Sequence, residues 1–100
     1  MKVEFSKQNV ETMEKALKKW GLQVQIGQAI EECAELIVAL QKYTNRKPTA
    51  QALDDVLNEI ADVEMLLAQL RLAFGMDCND LRQRMDAQFK KLEQYLIEEE

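Results

Sequence analysis

The chain has 100 residues, 13 Lys plus Arg against 18 Asp plus Glu, and no His, giving a formal net charge of -5 at neutral pH. That length suits a single domain spanning residues 1–100, and 47% hydrophobic residues with only three Gly and one Pro fit long helices and exclude a sandwich or barrel of many short strands. The acidic balance argues against a surface for the phosphate backbone of a nucleic-acid polymer, and the absence of His removes ExxH di-iron sites, HExxH zinc sites and every His-based triad.

Apolar spacing is helical almost throughout and falls into four segments. The first is predicted from about Ser6 to Lys19, with Ser6 as N-cap, Gly21 as the stop after Trp20, and a thin apolar face of Val10, Met13, Leu17 and Trp20. The second runs from about Leu22 to Tyr43. Its Leu22, Ile26, Ala29, Ile30, Cys33, Leu36, Ile37 and Leu40 fall within an arc of roughly 120°, which marks it as a core helix. The polar stretch Thr44 to Thr49, with Pro48, breaks the pattern, and Thr49 caps a third helix from about Ala50 to Phe74 that ends at Gly75. A fourth, from about Asn79 to Ile97, carries Leu81, Met85, Phe89, Leu92 and Leu96 on one stripe. Asn79 or Asp80 is its expected cap, and Glu98, Glu99 and Glu100 are expected to fray.

The simplest arrangement is all-α: a hairpin of the second and third helices flanked by the other two, as in a four-helix bundle. Leu66, Leu67, Leu70, Leu72 and Phe74 wrap around more of the third helix than one neighbour covers, so a homodimer or homotetramer is expected to complete the core. Cys33 and Cys78 form no CxxC or metal-type spacing and read as small apolar residues in a reducing compartment. Neither a membrane span nor a secretion signal is visible, the N-terminal MKVEFSKQNVE having no apolar h-region, so the expected location is the cytoplasm.

Two acidic clusters carry the chemistry. EECAEL holds Glu31, Glu32 and Glu35, and NEIAD holds Glu59 and Asp62. Residues three apart sit one turn from each other on a helix face, so Glu32 with Glu35, and Glu59 with Asp62, each present two oxygen ligands side by side. They border the apolar arc, where a neighbouring helix crowds them. Like charges so placed oppose helix formation unless a cation bridges them, and oxygen-only ligands select Mg²⁺, with Mn²⁺ as a substitute. The competing reading is a solvated acidic face, since 18 acids in 100 residues produce such spacings by chance.

EExxE, a gap of 23 residues, and then ExxD, each on a long amphipathic helix, resemble the MazG-like members of the all-alpha nucleoside triphosphate pyrophosphatase superfamily. The similarity extends upstream to KWGLQVQ (Lys19 to Gln25) and covers about Lys19 to Leu70; the last helix matches only loosely. The resemblance implies Mg²⁺-dependent, house-cleaning hydrolysis of nucleoside triphosphates, often deoxy or non-standard ones, to monophosphate and pyrophosphate. Carried over residue by residue, it makes Glu32, Glu35, Glu59 and Asp62 the metal ligands, and Glu31 the group that orients or deprotonates the attacking water.

For the substrate itself, the resemblance and the helical wheel together suggest Trp20 stacking on the base and Gln25 and Gln28 reading a base edge or sugar. Met65 would line the pocket, and Arg84 and Lys91 would meet the phosphates, with Lys90 facing away. The alternative from another class is a catalytically inactive helical oligomerisation or adaptor protein; the intact five-acid set argues against it. A nucleic-acid mimic would need a continuous negative surface, whereas Lys and Arg are interspersed throughout.

Overall fold

The computed structural model describes residues 5–99, and all regular structure among them is helical: α1 (Lys7–Trp20), α2 (Leu22–Asn45), α3 (Ala50–Phe74) and α4 (Cys78–Glu98). Residues 1–4 and Glu100 lie outside the described residues, so the expected fraying is described only for Glu98 and Glu99. Glu98 is helical and Glu99 caps α4.

Local chemistry sets the helix ends. The Ser6 hydroxyl accepts from the Asn9 N–H at 3.0 Å, and the Thr49 hydroxyl from the Ala52 N–H at 3.0 Å, each satisfying a first-turn donor that has no partner within its helix. Gly75 lies at φ 71, where a side chain is strained, and lets Met76 N–H reach back to the Arg71 carbonyl at 2.9 Å. Gly21, at φ 86, is the only residue between α1 and α2; its N–H closes the first helix on Leu17 and its carbonyl opens the second to Gln25. The cap of α4 differs from expectation. Asp77, not Asn79 or Asp80, accepts the Asp80 N–H at 2.8 Å, because the tight turn after Gly75 lets α4 begin at once.

The four-residue connection Arg46 to Thr49 folds α3 back against α2, and this hairpin is the main packing unit. Its seam differs from the one the apolar pattern suggests. Buried on α2 are Gln25, Ala29 and Ala39, with Glu32 and Leu36 half-buried; on α3 the buried residues include Val56, Leu66 and Gln69, with Glu59 and Val63 half-buried. Alanines let the two backbones approach closely. The larger apolar residues of the expected core arc sit roughly 80° around α2 from this seam. Ile30 and Ile37 are 66% and 57% exposed, and on α3 Leu57 is 55% exposed.

The α1 helix rests on both members of the hairpin and buries Met13. The α4 helix packs against none of the other three, and its stripe of Met85, Phe89, Leu92 and Leu96 is exposed. A closed four-helix bundle is therefore not formed within one chain. The radius of gyration, 16.4 Å, exceeds the ~13 Å of a compact 100-residue domain. The accessible surface, 8361 Å², likewise exceeds the roughly 5,800 Å² usual for a monomer of this mass.

Candidate metal centre and adjoining groove

Antiparallel pairing of α2 and α3 brings EECAEL opposite NEIAD. One carboxylate oxygen from each of Glu32, Glu59 and Asp62 lies within 4.8 Å of the other two. Glu32 and Glu59 are half-buried in the seam and Asp62 is exposed at its edge. The inward oxygens Glu32 Oε2 and Glu59 Oε2 are shut off from solvent and have no hydrogen-bond donor. Acceptors shut off in that state cost free energy unless a proton or a cation meets them.

The electrostatics register the same crowding. Burial pushes the Glu32 carboxyl above its ordinary value, the closeness of the Glu59 carboxyl, which favours a shared proton, adds to this, and the charges of Asp62 and Glu59 push the same way; the neighbouring Glu35 carboxyl partly offsets them. Glu35 is also raised, first by the charge of Glu32, then by desolvation, by the closeness of the Glu32 carboxyl and by the charges of Glu31 and Asp62. Of the four expected ligands, then, Glu32, Glu59 and Asp62 converge, while Glu35 stands beside Glu32 and outside the convergent set. An all-oxygen donor set with two unpartnered, solvent-shielded oxygens could hold a hard divalent cation.

Two cavities adjoin the acids. One, of 380 Å³, is lined by Trp20, Val24, Gln25, Gln28, Met65, Leu66 and Gln69. Trp20, Gln25 and Gln28 are thus joined by Met65 from far along the chain; on α2 the two glutamines lie one to two helical turns before Glu32, and on α3 Met65 follows Asp62 by about one turn. Gln69 joins them; it is 7% exposed and its Oε1 has no partner. Its only sequence signal was an amide in an otherwise apolar run, Met65 to Leu70. The Trp20 indole is 54% exposed, with Lys19 Nζ 5.4 Å from its ring centroid.

The second cavity, of 770 Å³, extends from the acids to the α2–α3 connection. Glu31, Glu35 and Glu59 line one part of it, and Lys42, Arg46 and Lys47 another. These three cations were not anticipated. Their signal was the basic composition of KYTNRKPT at a helix-to-helix turn. Arg84 and Lys91, expected near the phosphates, lie on α4, which does not approach the hairpin within one chain; Arg84 Nε is paired with Asp80 Oδ1 at 2.7 Å.

No family model, curated protein or solved structure matches the chain. Among the described residues, no helix is long and apolar enough to cross a membrane.

Proposed function

We propose that this chain is a MazG-like nucleoside triphosphate pyrophosphohydrolase of the cytoplasm, converting a deoxy or non-standard nucleoside triphosphate to its monophosphate and pyrophosphate with Mg²⁺. The observation that carries the reading is the convergence of Glu32, Glu59 and Asp62 from two helices, with two buried oxygens lacking any donor. A merely solvated acidic face would splay its charges apart to lower their repulsion. Glu32, Glu59 and Asp62 hold the cation and Glu35 supports Glu32 from the side. When bound, Mg²⁺ neutralises phosphate charge and acidifies coordinated water.

The remaining roles belong to the chain's own groups. Glu31, exposed in the larger cavity beside Glu35, orients the attacking water and takes its proton as the water oxygen bonds to the α-phosphorus. The bond from the α-phosphorus to the bridging oxygen breaks and pyrophosphate leaves. Trp20 offers a flat apolar face to the base, while Gln25, Gln28 and Gln69 supply amide donors and acceptors around it.

Self-association belongs to the same reading. Surplus accessible surface and exposed Ile30, Ile37, Leu57 and Ile60 favour a homodimer or homotetramer in which a second copy covers the hairpin's apolar side. The test is pyrophosphate release from a panel of standard and modified nucleoside triphosphates with Mg²⁺ or Mn²⁺. Turnover of at least one, lost in Asp62→Asn, supports the enzyme; no turnover of any favours the adaptor reading.

A further inference from the structure

The larger cavity carries a feature that the acids alone do not explain. Lys42, in the last turn of α2, and Arg46 and Lys47, in the connection, line one cavity with Glu35 and Glu59. Backbone geometry holds the cations there. Arg46 N–H bonds the Lys42 carbonyl at 3.2 Å, and Thr49 N–H bonds the Lys47 carbonyl at 2.8 Å, so the connection is a closed turn. Thr49 and Gln51 bring the first turn of α3 to the same cavity. Thr49 takes the Ala52 N–H, while the N–H groups of Ala50 and Gln51 have no partner among the described residues. Three cations and the positive end of a 25-residue helix thus meet at one mouth.

Glu59 belongs both to this cavity and to the convergent triad, so the cavity opens directly onto the candidate cation. Glu35 and Lys42 are two turns apart on α2, about 10 Å along the axis. The smaller cavity, with Trp20 and the glutamines, lies towards the other end of the hairpin.

Building on the proposed hydrolase reading, we infer that the cavity at the α2–α3 connection is the seat of the leaving pyrophosphate, held by Lys42, Arg46, Lys47 and the first-turn amides of α3. The substrate then lies along the hairpin, with its base at the Trp20 end, its α-phosphorus at the triad and its outer phosphates at the connection. Carboxylates also line the cavity (Glu31, Glu35, Asp55 and Glu59), and Asp55 is engaged by Gln51 at 2.8 Å. Those negative charges make anion binding depend on a divalent cation at the triad, and α4 within the same chain supplies no phosphate ligand.

Titration calorimetry with inorganic pyrophosphate in saturating Mn²⁺ tests this. The full chain should bind pyrophosphate, and bind it at least tenfold more weakly when Mn²⁺ is withheld. Lys42→Ala and Arg46→Ala should each weaken binding about tenfold, the loss expected for one charge-assisted hydrogen bond, and the triple Lys42→Ala/Arg46→Ala/Lys47→Ala variant more. Helicity by circular dichroism and Mn²⁺ affinity in these variants should stay unchanged, which separates lost phosphate contacts from misfolding. Pyrophosphate affinity undiminished in the triple variant, with turnover intact, overturns this inference and leaves the hydrolase reading standing. Absence of both metal-dependent pyrophosphate binding and turnover in the unaltered chain overturns both.

Discussion

The two sides of the α2–α3 hairpin fail differently as surfaces of a lone chain. On one side, charge has been drawn inward: Glu32 and Glu59 are half-buried with oxygens that meet no donor, and Asp62 closes on them. On the other, Ile30, Ile37, Leu57 and Ile60 are left 42–66% exposed to water. Each failure calls for a different partner. Crowded carboxylates are relieved by a cation, and exposed aliphatic side chains by another apolar face. On the proposed reading the hairpin is a plate with a chemical side and an assembly side, and its seam of alanines and polar residues is what keeps the two apart.

The largest expected effect is on the acidic side alone. Asp62→Asn should lower turnover by more than about a hundredfold and abolish tight Mg²⁺ or Mn²⁺ binding, while sedimentation behaviour and helicity remain those of the unaltered chain. Glu35→Gln should cost less, because Glu35 supports Glu32 from outside the convergent set. A Glu35→Gln loss equal to that of Asp62→Asn would instead make Glu35 a full ligand.

Next comes the opposite side. Ile60→Lys puts a charge in the middle of the exposed apolar face and should weaken self-association by at least about tenfold, read by analytical ultracentrifugation. Its Mn²⁺ affinity should not change. Loss of metal binding in Ile60→Lys at concentrations where the helices persist would mean that the two sides are coupled and that the site needs a second copy.

A smaller effect is the pH dependence of stability. Glu32 and Glu35 both sit above the ordinary 4.5 in the folded chain, so without a cation the folded state retains protons that the unfolded chain has given up. Stability is then greatest below that ordinary value and declines as pH rises through the raised values. A bound cation displaces those protons, so the rise in Tm on adding Mg²⁺ should grow from acid to neutral pH, reaching about 7 °C at tenfold excess over Kd. Differential scanning fluorimetry across pH 4 to 8 checks the sign (~4 to ~8 being the span around the ordinary carboxylate value). The smallest effect lies off the hairpin. Gly75→Ala, strained at φ 71 with open space around its new Cβ, should cost about 1 kcal/mol in chemical denaturation and leave both sides of the plate intact.

The helices were readable in the sequence because their ends are fixed locally. Ser6, Thr49 and Gly75 act within one turn of themselves, and the structure has them where spacing put them. The cap of α4 was misread because DCND offers several Asx residues, and only the tight turn after Gly75 selects Asp77. The seam of the hairpin was only partly readable. An apolar arc says which side of α2 avoids water, but not whether a neighbour in the same chain covers it; of that arc Ala29 and Leu36 enter the seam, beside Gln25, Glu32 and Ala39, while Ile30 and Ile37 stay exposed.

The triad was partly readable. Three-residue spacing puts two acids on each helix face, but whether four, three or two meet depends on the register of α2 against α3, which the four-residue connection sets. Arg84 and Lys91 stay away from the hairpin within one chain, whereas cations of the connection line the larger cavity. Lys42, Arg46 and Lys47 look like ordinary solvated turn residues until the fold shows the cavity they line.

Titration of the chain with Mn²⁺, followed by paramagnetic broadening of its backbone amide resonances, tests the central claim most directly. At substoichiometric Mn²⁺ the amides around Glu32, Glu59 and Asp62 should broaden first and together, and Asp62→Asn should erase that selectivity. Broadening spread evenly over exposed acids such as Glu11, Glu64, Glu93 and Glu98, with no preference for the α2–α3 seam, would contradict it.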